Sequence, residues 1–309
     1  MSNQEKVGVL FGGQGVFEAG MGQTAYRNYA RAREIFKEAS ESAGVDMARV
    51  CFGDLTYLQD DPRIVQPAIV TVGLAEYGAW LENNEEPDVV TGLSLGLYPA
   101  MAAAEVFQTY GDTVSVVAQR ARILYEIHRQ RPGKMAGFVG LSTPDLEPIL
   151  KKTGAGLAIM RDRIRKSVVI TGSPEEIEAT EEEVKKNGVR KFELLNIFGK
   201  FHHGDNAEAQ PPFEAVLDSF PMSDPKIKIL GNHAIFLDTA AELKAHAVDQ
   251  LVDQVDWDSV IEEVDRLGVS RIFEAGADDS RGLARQMSKR FKTETIRFPK
   301  DHQNPLQTA

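Results

Sequence analysis

Ser94 stands between two glycines, in Gly92-Leu93-Ser94-Leu95-Gly96, where an apolar run ends and a helical pattern begins. Asp88, Val89 and Val90 read as the end of a buried strand, whereas Leu95, Met101, Ala104 and Phe107 recur at helical spacing. Flanking glycines let such a strand-to-helix turn be sharp. The turn lifts the hydroxyl clear of the sheet and sets a helix N-terminus beside it. The chemistry this geometry serves is nucleophilic attack on a carbonyl. The plainer reading is a serine N-cap between two packing glycines.

A serine needs a base before it can attack at neutral pH. The six histidines are His128, His202, His203, His233, His246 and His302. His202 and His203 stand out, in Phe198-Gly199-Lys200-Phe201-His202-His203-Gly204, and either could be the base. Adjacent histidines point apart on most backbones, and no H-x-x-x-H spacing is present, so no metal site is expected. Arg120 shares a helical face with Val116, Val117 and Leu124. An arginine there needs an anion, and its planar fork suits a carboxylate; a structural salt bridge or snorkelling to the surface is the alternative. Gly12-Gly13-Gln14-Gly15 follows a strand but lacks both phosphate-loop spacings, which leaves exposed amides for an oxyanion as the other reading.

The elements that must position these residues alternate. Lys6 to Phe11 reads as a strand, Tyr26 to Ala43 as a helix, and Gln66 to Asn83 as a helix starting near Pro67. The Val89 strand, the Ser94 turn and a helix from Tyr110 to Gln130 follow. This alternation predicts an α/β fold with a parallel sheet, a large hydrolase-like domain. After Pro132-Gly133 the pattern becomes β-α-β-β-α-β through Ile197, the split unit of a ferredoxin-like domain. A strand ending at Phe273-Glu274-Ala275-Gly276 belongs to the larger domain again. The expected organisation is a large domain of residues 1–130 and 198–309 with a small domain, 131–197, inserted, and the active site in the cleft between them.

The 309 residues are 42% hydrophobic and 26% charged, as in a globular protein, with no apolar run expected to span a membrane. The N-terminus lacks signal-peptide architecture, and Cys51 is the only cysteine, in a setting that suggests a buried small hydrophobe. A cytoplasmic location is the expectation. A net charge of −11 argues against nucleic-acid binding. The charge is uneven: residues 131–197 carry +2 and the remainder −13.

Taken together, these segments resemble the malonyl-CoA:acyl-carrier-protein transacylases and the acyltransferase domains of polyketide synthases. Phe11-Gly12-Gly13-Gln14-Gly15 with Gly20-Met21-Gly22 looks like the family's F-P-G-Q-G…G-M-G, and Gln66-Pro67-Ala68-Ile69 like its Q-P-A-[IL]. Gly92-Leu93-Ser94-Leu95-Gly96 resembles its G-[HL]-S-L-G elbow, and Arg120 the arginine of its R-G-x-x-M helix. Pro132 to Ala136 resembles P-G-x-M-A, Gly199 to His202 resembles G-P-F-H, and Gln250-Leu251 with Trp257 matches Q-L…W. Phe273 to Gly276 matches F-E-x-G. The order is the family's, over nearly the full chain.

The resemblance implies ping-pong acyl transfer. Ser94 attacks the thioester of malonyl-CoA with His202 as base, and backbone amides of Gln14 and Leu95 form the oxyanion hole. The acyl group waits on Ser94 until the phosphopantetheine thiol of an acidic acyl carrier protein collects it, in fatty acid or polyketide synthesis. Arg120 pairs with the malonyl carboxylate, in a pocket shared with Gln66 and with Phe201, whose bulk disfavours an α-methyl branch. His202 is oriented by a backbone carbonyl, that of Gln250, with Asn232 nearby. No tightly bound cofactor is implied. Carrier docking is expected on Arg161, Arg163, Arg165 and Lys166, extended by Arg129, Arg131, Lys134 and Lys200. Departures from the pattern fall at Gly12, Val16, Phe17, Leu97, Lys200, His203 and Ala277-Asp278-Asp279. They touch pocket walls and entrance, so the acyl group and the carrier are less fixed than the reaction. A proofreading acyl hydrolase and an inactive carrier-binding scaffold are the competing readings.

Overall fold

The computed structural model describes residues 5–14, 18–53, 61–276 and 294–296; Val16, Phe17 and Ala277-Asp278-Asp279 lie outside them. In chain order the strands are β1 (Lys6–Phe11), β2 (Val89–Gly92), β3 (Lys134–Val139), β4 (Gly156–Asp162), β5 (Ser167–Gly172), β6 (Phe192–Leu194), β7 (Lys228–Leu230), β8 (Phe236–Leu237), β9 (Val255–Asp256), β10 (Val269–Ala275) and β11 (Glu294–Ile296). They form two sheets in an α/β fold. The larger runs β11-β10-β1-β2-β7-β8, parallel except where β8 returns against β7. β1 sits at its centre, flanked by β10 and β2, which explains why KVGVLF is apolar on both faces.

The smaller sheet runs β6-β3-β5-β4-β9. Its first four strands pair antiparallel, with helices Thr143–Thr153 and Pro174–Lys186 in the connections. The fifth, β9, comes from beyond residue 197 and pairs parallel to β4. Side chains alternate between two cores, as the pleat requires. Ala136, Phe138, Met160, Val168 and Ile170 pack under the two helices, whereas Met135, Ile159 and Val169 join the main core. The smaller sheet is therefore buried on both faces and is fixed against the larger unit.

Two helix expectations shift. The Tyr26 helix breaks at Tyr29, whose extended backbone separates Gln23–Asn28 from Ala30–Ala43. The second helix begins earlier than Pro67, at Pro62, because Asp61 caps it by accepting from the Arg63 amide. This helix, Pro62–Leu81, is long and apolar enough by composition to cross a bilayer, contrary to the sequence expectation. Yet 83% of its apolar stretch is buried. It packs against helices Ala30–Ala43 and Tyr110–Gln130 and against β10, so it is the core helix of the large unit.

Candidate active site

β2 delivers the chain to Ser94 at the carboxyl edge of the larger sheet, the usual edge for a site in such sheets. Ser94 has φ 55°, a strained value for a residue with a side chain. Both glycines of the pentapeptide are obligatory. A Cβ on Gly92 would lie 2.0 Å from the Gly96 carbonyl carbon, and one on Gly96 would lie 2.3 Å from the Phe11 oxygen. The helix Leu97–Ala103 starts immediately after. A Cβ on Gly13 would meet the Leu93 oxygen at 2.8 Å, so the Gln14 loop lies against the elbow.

The Ser94 hydroxyl donates to His202 Nε2 at 2.7 Å. His202 Nδ1 donates to the Asp253 carbonyl at 2.9 Å, which fixes the tautomer and leaves Nε2 free to accept. The expected orienting carbonyl was that of Gln250. Gln250 instead ends the helix Ala240–Asp249, and the chain turns through Leu251 and Val252 before presenting Asp253 to the ring. The Gln250 carbonyl adds a smaller pull. Asn232 makes no bond to His202 among the described residues; its backbone N–H donates to His246 Nε2 at 3.1 Å. His203, the other candidate base, accepts from the Asp205 amide at 3.1 Å and caps a short turn there.

Arg120 is 3% exposed. Its Nη1 donates to Gln66 Oε1 at 2.8 Å, and Gln66 Nε2 donates to Gln14 Oε1 at 3.1 Å. The guanidinium also lies 5.5 Å from the Tyr98 ring and 5.9 Å from the Phe201 ring. Its Nε has no partner, and no carboxylate of the described residues pairs with it. A buried cation in this state lacks an anion to offset its desolvation, and its planar fork has the shape to take a carboxylate. The wall contributed by Tyr98 was not anticipated, because one aromatic in an apolar helix carries no local signal.

A cleft of 510 Å³ is lined by residues including Gln14, Val65, Lys134, Ile197 and Phe198. It reaches Gln14 but not Ser94 itself, so the hydrogen bond, not the cleft, singles out Ser94 and His202 as the candidate pair. The basic surface predicted around it is largely neutralised. Arg163 pairs with Asp256 and with Asp258 at 2.5 and 3.0 Å, and Arg165 approaches Asp162 at 3.7 Å. Arg161 is half-buried on β4. Arg129 pairs with Glu126, Arg131 with Glu208, and Lys200 is buried against Asp205. Lys134 and Lys166 remain exposed.

Burial pulls the His202 ring down from 6.5 to about 4; the Asp253 carbonyl opposes this, and the Arg120 cation adds to it. Nε2 is thus neutral, and able to take a proton, throughout the physiological range. The acylation rate of Ser94 by p-nitrophenyl acetate should accordingly hold as pH falls to 5 and decline with a midpoint near 4, the folded value. A midpoint at the ordinary 6.5 would contradict the buried base. Stability has a matching window. His246 is also lowered by burial to about 4, so the unfolded chain binds protons on both rings before the folded chain does. Stability is undiminished above 6.5 and falls as pH drops from there towards 4.

A serine held on a strained turn, a neutral imidazole bonded to it, the Gln14 loop against the turn and a buried guanidinium nearby are suited to transferring an acyl group that carries an acid. Comparison with known proteins agrees. The acyl transferase domain family matches residues 9–270. The chain is 28% identical to the malonyl CoA-acyl carrier protein transacylase of Bacillus subtilis, over 98% of this chain and 97% of that one. In fold it is similar to an acyl carrier protein S-malonyltransferase from Vibrio cholerae, with a TM-score of 0.86 at 22% identity, covering 95% and 96% of the two chains. A malonyl-transacylase solved with its type II PKS acyl-carrier protein has a TM-score of 0.87 at 21% identity, covering 94% of each. A match of the family over most of the length means that the chain is an acyltransferase and belongs to the acyl transferase family.

Proposed function

We propose that the protein moves a malonyl group from CoA to the phosphopantetheine thiol of an acyl carrier protein, through an ester on Ser94. The observation that carries this reading is Arg120, a buried cation with no carboxylate of its own among the described residues, in the same site as a serine–histidine pair. Ser94 Oγ attacks the thioester carbonyl as its proton passes to His202 Nε2. The Gln14 and Leu95 amides take the developing oxyanion. The C–S bond breaks, and the CoA thiolate leaves with the proton from His202. In the second half-reaction the carrier thiol gives its proton to His202, attacks the ester and restores Ser94. Neither half needs a metal or a bound cofactor, because nucleophile, base and oxyanion donors all come from the chain.

Arg120 holds the free carboxylate, and the Gln66 bridge ties that carboxylate site to the Gln14 loop. Phe201, 6% exposed and against Arg120, walls the pocket beside the α-carbon and favours malonyl over a branched homologue. The two sheets support a hydrolase-like large domain, 1–130 and 198–309, carrying an inserted ferredoxin-like unit, 131–197, to which β9 adds a strand. A cytoplasmic location and a carrier of fatty acid or polyketide synthesis complete the reading. An acidic carrier needs a positive surface on this protein of net charge −11. The hairpin tip with Arg165 and Lys166 serves best, since Arg163 is committed to its two aspartates.

Intact-mass measurement tests both halves. Malonyl-CoA should leave a stable malonyl adduct that acyl carrier protein then removes, and an equimolar methylmalonyl-CoA competitor should form the minor adduct. CoA release without an adduct would mean hydrolysis, and no reaction would mean a scaffold. Reversing Arg165 and Lys166 to Glu should slow removal by the carrier and leave adduct formation unchanged. Equal carrier rates would move the docking surface elsewhere.

A further inference from the structure

Among the described residues no carboxylate orients His202; the Asp253 carbonyl does. The ring's direction depends chiefly on the Asp253 carbonyl, so the segments carrying His202 and Asp253 must keep a fixed separation. His202 also has φ 56°, a conformation that persists only where its surroundings hold it. A fully buried side chain joins the two segments. Asn206 Nδ2 donates to the Lys200 carbonyl at 2.9 Å and to the Leu251 carbonyl at 3.1 Å. Lys200 is two residues before His202, and Leu251 is two residues before Asp253.

Both hydrogens of the Asn206 amide are thereby used, so its Oδ1 must accept. It faces His128 Nε2 at 3.0 Å, which sets the tautomer of His128 with the hydrogen on Nε2. His128 is in turn locked. It packs edge-on against Phe201 with ring centroids 5.0 Å apart, and it fills the space under Gly199, where a Cβ would lie 1.9 Å from its Nδ1. Gly199 has φ 104°, so glycine is needed there twice over.

We propose that Asn206, held in one orientation by His128, is a positioning residue that sets the distance between His202 and the Asp253 carbonyl. This rests on His202 being the base. Asn206 touches neither Ser94 nor the acyl group. It acts by pinning the two backbone segments whose relative placement decides where Nε2 points. A leucine of similar size would leave two buried carbonyls and the His128 N–H without Asn206, and would free the segments from each other.

The test uses the full chain. Asn206→Leu should lower the rate of Ser94 acylation by malonyl-CoA about 10- to 100-fold per folded molecule, the scale for losing a supporting hydrogen bond. The half-saturating malonyl-CoA concentration should stay within about twofold, since no substrate contact is lost. Long-range proton–nitrogen NMR should show His202 passing from a single Nδ1–H tautomer to a mixture, which a loss of bulk stability alone would not cause. His128→Gln, which keeps a donor for Asn206 Oδ1, should retain most of the rate, whereas His128→Phe should not. Should Asn206→Leu not fold, Asn206→Ser, which is too short to bridge both carbonyls, is read the same way. A rate within about twofold of wild type with the tautomer unchanged would overturn the proposal. Full activity in His202→Ala would instead overturn the base assignment, so the two failures are distinguishable.

Discussion

Ser94→Ala should abolish the malonyl adduct and leave the protein folded. Alanine tolerates φ 55° no worse than serine, and the substitution removes one hydrogen bond, to His202. The stability change should be about 1 kcal/mol. The chemical loss is far larger, because no other hydroxyl stands on the elbow between the Gln14 loop and His202. Acylation should fall by a factor on the order of 10⁴ or more, the scale for removing a nucleophile that works as a unit with its base. His202→Ala should approach the same loss with the fold again intact. His203→Ala should change the rate little, since His203 is bonded to the Asp205 amide and not to Ser94. Intact mass after brief exposure to malonyl-CoA reads all three. An undiminished adduct on the alanine variant at position 94 would remove the assignment, and greater damage from position 203 would exchange the histidines.

Arg120→Ala should separate acyl groups rather than stop the reaction. Removing the guanidinium leaves the malonyl carboxylate buried without a cation, which costs about 2–4 kcal/mol, or roughly 30- to 1,000-fold in kcat/KM. Acetyl-CoA carries no carboxylate, so its low rate should hold or rise once an unpaired buried cation no longer lines the pocket. Arg120→Lys should recover only part of the loss, because a point charge cannot span Gln66 and both carboxylate oxygens as the planar fork does. Single-turnover acylation with the two thioesters gives the ratio directly. Equal losses for malonyl and acetyl would make Arg120 a structural residue. The variant also bears on His202, whose ring the Arg120 cation lowers. Without that cation the low-pH midpoint should move upward from about 4.

Local signals were legible where one stretch of chain specifies its own shape. The elbow is such a stretch, since Gly92 and Gly96 are demanded by contacts within a few residues or with the adjacent β1. The capped helix Tyr110–Gln130 is another, with Thr109 and Asp112 forming a reciprocal capping box, and the β-α-β-β-α-β order of residues 134–194 is a third. Ser94, the glycines around it and an arginine on an apolar helical face were therefore visible as chemistry before any fold was known. Other features depend on segments far apart in sequence. The Asp253 carbonyl reaches His202 through how the chain turns after Gln250, and every residue has a carbonyl, so no residue type marks it. Arg163 looked like free positive charge until Asp256 and Asp258, more than ninety positions away, were brought beside it. Asn206 and His128 lie 78 positions apart and meet only when the helix Tyr110–Gln130 packs behind the His202 segment. The sequence by itself determined the serine on its glycine-flanked turn, the pattern of elements and the reaction class, because those depend on residue type and short-range sterics. Tertiary structure alone decided which histidine faces Ser94, which carbonyl orients it and which charges remain free, because those depend on distances that only packing sets.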